Sequence, residues 1–261
     1  MNRQSYIGVT GFTNAEDVKV VADEMVPEND RLLMVGVLAS NKTFEGLVHD
    51  WFRRYPKASE LGDVFIQHPR VLNLIHYNTD NQEGLARQLE HVFRLAVPFI
   101  SGFQLNLKWP DPTELRTFLR KERMREQMRM VLQIGGGAMK HCAFDPALIA
   151  DRVLMYKDVI TDVLVDASGG TGKAFDAKVV MPILEAIEAR RLDVGLGLAG
   201  GISPSTLELL EPIARQFPAI NIDIERGVRD DADGGGNLIV AQAVDYVRGA
   251  QSMFENVVKM K

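Results

Sequence analysis

The chain is expected to be an α/β protein, a single (β/α)8 barrel over residues 1–261. Three observations predict this. About eight short apolar runs alternate with helical patterns, evenly spaced over roughly 250 residues. Several of the runs end in a carboxylate or in glycines, as buried parallel strands do where they meet a loop. No Gly-x-Gly-x-x-Gly follows the first run, which a dinucleotide-binding doubly wound sheet would need.

Taken in order, Tyr6–Thr10 reads as the first strand. Thr13 and Glu16 form a capping box for a helix carrying Val18, Val21, Ala22 and Met25 inward, ended by Pro27. Leu32–Leu38 is the second strand. The connection that follows, residues 41–70, is long and is expected to hold a helix over Phe44–Tyr55. Val71–Tyr77 is the third strand, followed by an amphipathic helix over Gln82–Val97. Gly102–Leu107 is the fourth strand and Pro112–Arg125 its helix, whose mixed charges read as a solvated face. Met130–Ile134 is the fifth strand, followed by Gly135-Gly136-Gly137. Asp145 caps the next helix, with Pro146 in its first position. Asp162–Asp166 is the sixth strand. Its helix spans Phe175–Arg190, with Pro182 kinking it or delaying its regular part. Val194–Ala199 is the seventh strand, and Ser203-Pro204 opens a helix to Phe217. Ile220–Ile224 is the eighth strand, and Asn237–Val258 is the last helix.

Bulk properties narrow the function. Hydrophobic residues make up 46% of the chain and charged residues 25%, enough apolar material for a large core. A net charge of -5 argues against a nucleic-acid-binding surface. The single cysteine, Cys142, rules out an internal disulfide and fits a reducing compartment. No apolar run approaches the roughly 20 residues of a membrane span. The first residues run almost straight into a strand, leaving no room for a signal peptide. The expectation is a soluble cytoplasmic protein with no nucleic-acid or membrane partner.

In a barrel, only residues at strand C-termini and in the loops beyond them share the mouth. That filter selects Thr10, Lys42, His76, Asn106, Lys108, Gln133, Lys140, His141, Asp166, Lys173, Asp223, Glu225 and Arg226. Asp166 leads, because it ends a buried strand beside Gly169, Gly170, Gly172 and Lys173. A carboxylate there is suited to acid–base work, and the glycines free backbone amides to face an anion. A turn in which Asp166 caps a local amide accounts for the same residues. Gly200 and Gly201 after the seventh strand and Gly227 after the eighth lie in neighbouring loops, where amides can converge on a phosphate. Arg226 is expected to face that anion and Glu225 to turn away. Lys140 and His141, beside Cys142 after the fifth strand, could titrate near neutral pH. Asp230, Asp231 and Asp233 lack the spacing of a calcium loop and read as a solvated turn, so no metal is expected.

Three segments carry a resemblance. Asp166–Asp176 (DASGGTGKAFD), Leu198–Pro204 (LAGGISP) and Asp223–Val228 (DIERGV) are similar to the phosphoribosylanthranilate isomerase family, as is Gly11–Asp17 (GFTNAED). The resemblance implies a ribulose-phosphate-binding TIM barrel, no cofactor, and a small phosphorylated substrate undergoing aldose–ketose isomerisation. It implies that Asp166 is the general acid and that Gly200, Gly201 and Gly227 hold phosphate; Glu225 and Arg226 stand where the family has two serines, and Arg226 is expected to bind the phosphate by its charge. Gly169, Gly170, Gly172, Lys173 and Asp223 are expected to contact the rest of the substrate, with Lys42 lying near the place where the family has a substrate-binding arginine after its second strand. Thr10 stands where the family has its general-base cysteine. A threonine hydroxyl is too weakly acidic for that role unaided, so isomerase activity of the family's own kind is expected to be weak or absent. Two alternatives stand beside this reading: a phosphosugar lyase or transferase using Lys140 and His141, and a non-catalytic barrel that binds a phosphorylated ligand.

Overall fold

A computed structural model describes residues 3–27, 29–44, 52–121, 128–166, 168, 175–230 and 236–259. Eight parallel strands close into a barrel in sequence order. They are β1 (Tyr6–Thr10), β2 (Leu32–Ser40), β3 (Val71–Asn78), β4 (Gly102–Leu105), β5 (Arg129–Ile134), β6 (Asp162–Asp166), β7 (Gly195–Ala199) and β8 (Asn221–Ile224). Closure is made by β1 against β8, with Ile7, Gly8 and Val9 in register with Ile222, Asp223 and Ile224.

The alternation of side chains along each strand sorts the core into two shells. Ile7, Val9, Val163 and Val165 point outward and pack with the helices in one large apolar cluster. Tyr6, Met34, Leu72, Leu74, Val131 and Leu164 fill the barrel interior in a second, smaller cluster. The helices are α1 (Ala15–Ala22), α2 (Asn41–Phe44), α3 (Leu61–Val64), α4 (Leu85–Ala96), α5 (Pro112–Lys121), α6 (Gly136–His141), α7 (Pro146–Leu154), α8 (Ala177–Ala189), α9 (Glu211–Gln216) and α10 (Val240–Lys259).

Local signals held where their chemistry was specific. The Asp145 side chain accepts from the amides of Ala147 and Leu148 with Pro146 behind it. The helix after β6 spans Ala177–Ala189, two residues later than the expected start, with Asp176 as its cap and Pro182 inside it. Other expectations are corrected. The cap of α1 is Asn14, which accepts from the amide of Asp17, rather than Thr13 with Glu16. That helix ends at Ala22, well before Pro27. After β7 the chain forms a 3-10 helix over Pro204–Leu210 before α9, in place of one continuous helix. Its Ser203–Thr206 box satisfies the first amides, while Pro212 at the start of α9 cannot donate to a continuing helical ladder. Most of the helix expected over Phe44–Tyr55 lies outside the described residues; Phe52–Arg54 is a 3-10 turn.

Candidate active site

Asp166 is the last residue of β6 and is buried. Its Oδ1 accepts from the Ser168 amide at 3.1 Å and the Ser168 hydroxyl at 2.8 Å. Its Oδ2 accepts from Gln133 Nε2 at 3.0 Å. Asp166 therefore caps a local turn and also lines a cavity of about 220 Å³ at the barrel mouth. The turn expected as the alternative is present, and the same carboxylate faces the cavity.

The cavity walls come from β3 through β6 and from β8. His76, Gln133, Asp166, Asn106, Lys108 and Glu225 all line it, together with the backbone of Gly135–Gly137. His76 is buried, and that burial pulls its pKa below the usual histidine value against the opposing pull of Glu225 and Asp166. The imidazole is therefore neutral at pH 7 and can accept a proton. Glu225 follows β8. It faces the cavity and is held at 2.8 Å by Arg54, which arrives from the β2–β3 connection.

Beneath the cavity runs a ladder of side chains. Thr10 Oγ1 donates to both oxygens of Asp223, at 3.0 and 3.1 Å. Gln104 Nε2 donates to Asp223 Oδ2 at 3.0 Å and to Gln133 Oε1 at 3.2 Å, and it faces His76 Nδ1 at 3.5 Å. Gln133 then passes its own amide to Asp166. Burial raises the Asp223 pKa from 3.8 to about 7; the hydrogen bonds from Gln104 and Thr10 oppose that rise, and Glu225 and Asp166 add to it.

Glycines make room for these groups. Thr10 is in register with Gly36, where a Cβ would lie 2.3 Å from the threonine hydroxyl. Asp223 is in register with Gly8, whose Cβ would lie 2.9 Å from Asp223 Oδ1. At the opposite end of the barrel Asp162 is in register with Gly195, with only 2.1 Å to the carboxylate.

Of the expected phosphate residues, Gly200 lies beside Asp166 and Gly227 lies against the loop that carries Gly200 and Gly201. A Cβ on Gly200 would lie 2.3 Å from Asp166 Oδ1, and one on Gly227 would lie 2.2 Å from the Ile202 carbonyl. The loops after β7 and β8 therefore touch, and the first of them abuts the catalytic carboxylate candidate. Gly200 and Gly201 have φ of +88° and +70°, conformations that suit glycine. Arg226 opens a 3-10 turn that also contains Gly227. Gly11, with φ +106°, leaves space for the Arg229 guanidinium, which donates to the Gly236 carbonyl at 2.8 Å and joins the first loop to the last.

Other expected site residues fall elsewhere. Lys42 is exposed on α2. Lys140 and His141 are exposed in the last turn of α6 and are not in the cavity wall, because the helix carries them away from Gly135. Cys142 is buried, and burial raises its thiol pKa. Gly169, Gly170, Gly172 and Lys173 lie outside the described residues. Among the described residues, no group of three or more His, Cys, Asp or Glu is arranged to hold a metal ion.

Neither a protein-family model nor a curated protein sequence matches the chain. Solved structures do. A citrate lyase from Burkholderia xenovorans LB400 is 11% identical with a TM-score of 0.55, over 96% of this chain and 78% of that one. Active domain 2 of chitinase from Pyrococcus furiosus is 10% identical with a TM-score of 0.56, over 97% and 94%. Phospho-2-dehydro-3-deoxyheptonate aldolase from Francisella tularensis SCHU S4 is 8% identical with a TM-score of 0.53, over 97% and 86%. The chain has a TIM-barrel fold. At such identities the likeness extends to the barrel and no further.

Proposed function

We propose that the protein is an enzyme acting on a phosphorylated ribose or a related phosphosugar by isomerase-type acid–base chemistry. The observation that carries this reading is the pairing of Asp166 with His76 on the wall of one cavity at the barrel mouth. Aldose–ketose isomerisation needs one group to protonate a sugar oxygen and another to remove a proton from the neighbouring carbon. Asp166 takes the first role in this scheme, as the resemblance to phosphoribosylanthranilate isomerases implies. His76, held neutral by burial, takes the second. It replaces the base that the family draws from a cysteine at the position of Thr10.

Thr10 itself has a different task. Its hydroxyl proton is committed to Asp223, so it acts as a donor that orders the floor. The sugar phosphate would lie against the loops carrying Gly200, Gly201, Arg226 and Gly227, which touch each other at Gly227 and Ile202, with Gly200 beside Asp166. Ser203 opens the turn that follows. The alternative through Lys140 and His141 is weaker, since both side chains are exposed and outside the cavity wall.

The test is turnover of phosphoribosylanthranilate and of simple aldose and ketose phosphates by the wild type, Asp166→Asn and His76→Gln. Each substitution should lower kcat by about 10²-fold or more. Phosphoribosylanthranilate turnover should be weak in the wild type and should rise in Thr10→Cys. Full activity in both Asp166→Asn and His76→Gln would overturn the proposal.

A further inference from the structure

We infer that the groove at the bottom of the barrel is a binding site for a monoanionic carboxylate with an apolar body, its head group held by Arg31. This site is separate from the acid–base chemistry at the mouth.

The groove has a volume of about 970 Å³, against about 220 Å³ for the cavity at the mouth. It lies where three neighbouring strands begin. Ser5 precedes β1, Arg31 precedes β2 and Ala219 lies just before β8, and all three line it. Its apolar wall is made by Val26, Pro218, Ala219, Phe254 and Val258. Val258 on α10 is 66% exposed, so this wall is open to a ligand.

Arg31 selects the head group. The residue is only 7% exposed. Its Nη1 donates to the Ile220 carbonyl at 2.6 Å and its Nη2 to the Pro218 carbonyl at 2.5 Å. The guanidinium carbon lies 3.4 Å from the centre of the Phe254 ring, which covers one face. These contacts fix the group in place. Carbonyls and a ring answer its charge only with dipoles, and they engage two of the five N–H donors a guanidinium carries. Among the described residues, Tyr246 is the one ionisable side chain whose charge bears on Arg31, and burial keeps that phenol neutral. Burial draws the Arg31 pKa down to about 9. A buried cation without a counter-ion is costly, and a carboxylate laid against its planar fork removes that cost. Arg70 is the contrast. It holds the carbonyls of Val26, Pro27 and Asn29 nearby, but it is half-buried, so water answers its charge.

The other charges of the groove set the ligand's own. Arg3 pairs with Asp193 at 3.3 Å and Lys259 with Glu255 at 3.8 Å. Asp30, exposed, is the remaining carboxylate of the lining. A ligand with two or three negative charges would meet Asp30 and Glu255 with Arg31 alone to balance it. One negative charge fits. The apolar wall then gives a hydrocarbon body a place to leave water, which a bare inorganic anion cannot use.

The experiment is a methyl NMR titration of the full chain, labelled at alanine and valine, with octanoate. The Val26, Ala219 and Val258 methyls should shift and reach half-saturation below about 1 mM. Octanol, with the same chain and no charge, should bind at least about tenfold more weakly. Val258→Glu changes an exposed position and places a carboxylate on the wall. It should weaken octanoate by about tenfold or more, read at Val26 and Ala219, whereas Val258→Lys should not. Arg31→Met should abolish binding, and if that variant fails to fold the two Val258 variants decide. No shift of these methyls up to about 1 mM octanoate, octanol binding as well as octanoate, equal affinities in Val258→Glu and Val258→Lys, or full affinity in a folded Arg31→Met protein would each overturn the inference. Inorganic phosphate moving the same methyls at lower concentration than octanoate would overturn the class of ligand.

Discussion

Strand β6 carries an aspartate at each end, and the two are treated in opposite ways. Asp162, at the bottom of the barrel, accepts from the Arg129 guanidinium at 2.8 Å, from Asn221 at 3.0 Å and from the Thr161 hydroxyl at 2.6 Å. Asp166, at the other end of the same strand and on the same inner face, accepts from Gln133 and from the Ser168 hydroxyl and opens onto a cavity. A buried carboxylate closed by a cation and filled hydrogen bonds is a fastening. A buried carboxylate held in place by amides and hydroxyls, with a cavity before it, keeps its chemistry available. The difference is made by partners on other strands.

The comparison breaks most sharply at Arg129. Arg129→Ala leaves Asp162 buried without its counter-ion and should destabilise the protein by about 3–5 kcal/mol in urea unfolding. Arg129→Met combined with Asp162→Asn should recover most of that. A loss below about 1 kcal/mol in Arg129→Ala would mean that the bottom carboxylate is no more fastened than the top one.

A smaller effect is expected from Asp223 and depends on pH. In the folded chain this group keeps its proton until about pH 7, whereas the unfolded chain releases it near 3.8. Its contribution to stability is therefore fully present below about pH 4 and is lost as pH rises toward 7, on the order of a few kcal/mol. Asp223→Asn should flatten stability across that window relative to the wild type. Parallel curves for the two proteins between pH 4 and 7 would show that Asp223 is ionised throughout.

The smallest effect on stability is expected at Asp166. Asp166→Asn keeps the shape and an oxygen to accept from the Ser168 amide and hydroxyl, so unfolding should shift by about 1 kcal/mol or less. A loss as large as that of Arg129→Ala would make Asp166 a fastening as well and end the contrast.

The barrel was legible because its signal is repeated: eight apolar runs, each turned outward and inward by the two-residue period, leave little room for another closure. Asp166 stood out because a charge ending a solidly apolar run is conspicuous. His76 passed the strand-end filter but sat inside a run of apolar and polar residues with no glycine loop beyond it. Gln104 was missed entirely. A neutral amide in a four-residue strand carries no mark of its function until closure of the barrel brings it against Gln133 and Asp223. Arg54 was missed for a related reason, since its partner Glu225 lies 171 positions away and the connection holding it has no periodic pattern. Lys140 and His141 were chosen for their chemistry alone, and a short helix then carried them out to solvent.

The glycines beside Thr10, Asp223 and Asp162 bear on how such a barrel can be redesigned. Each polar group occupies a place left vacant by the strand next to it: Gly36 on β2, Gly8 on β1 and Gly195 on β7. The address of an interior charge is therefore written on two strands, as a side chain on one and an absence on its neighbour. Moving a carboxylate to a new rung of this barrel calls for moving its hole as well, and a library that varies only the chemically eloquent residues samples half of each address.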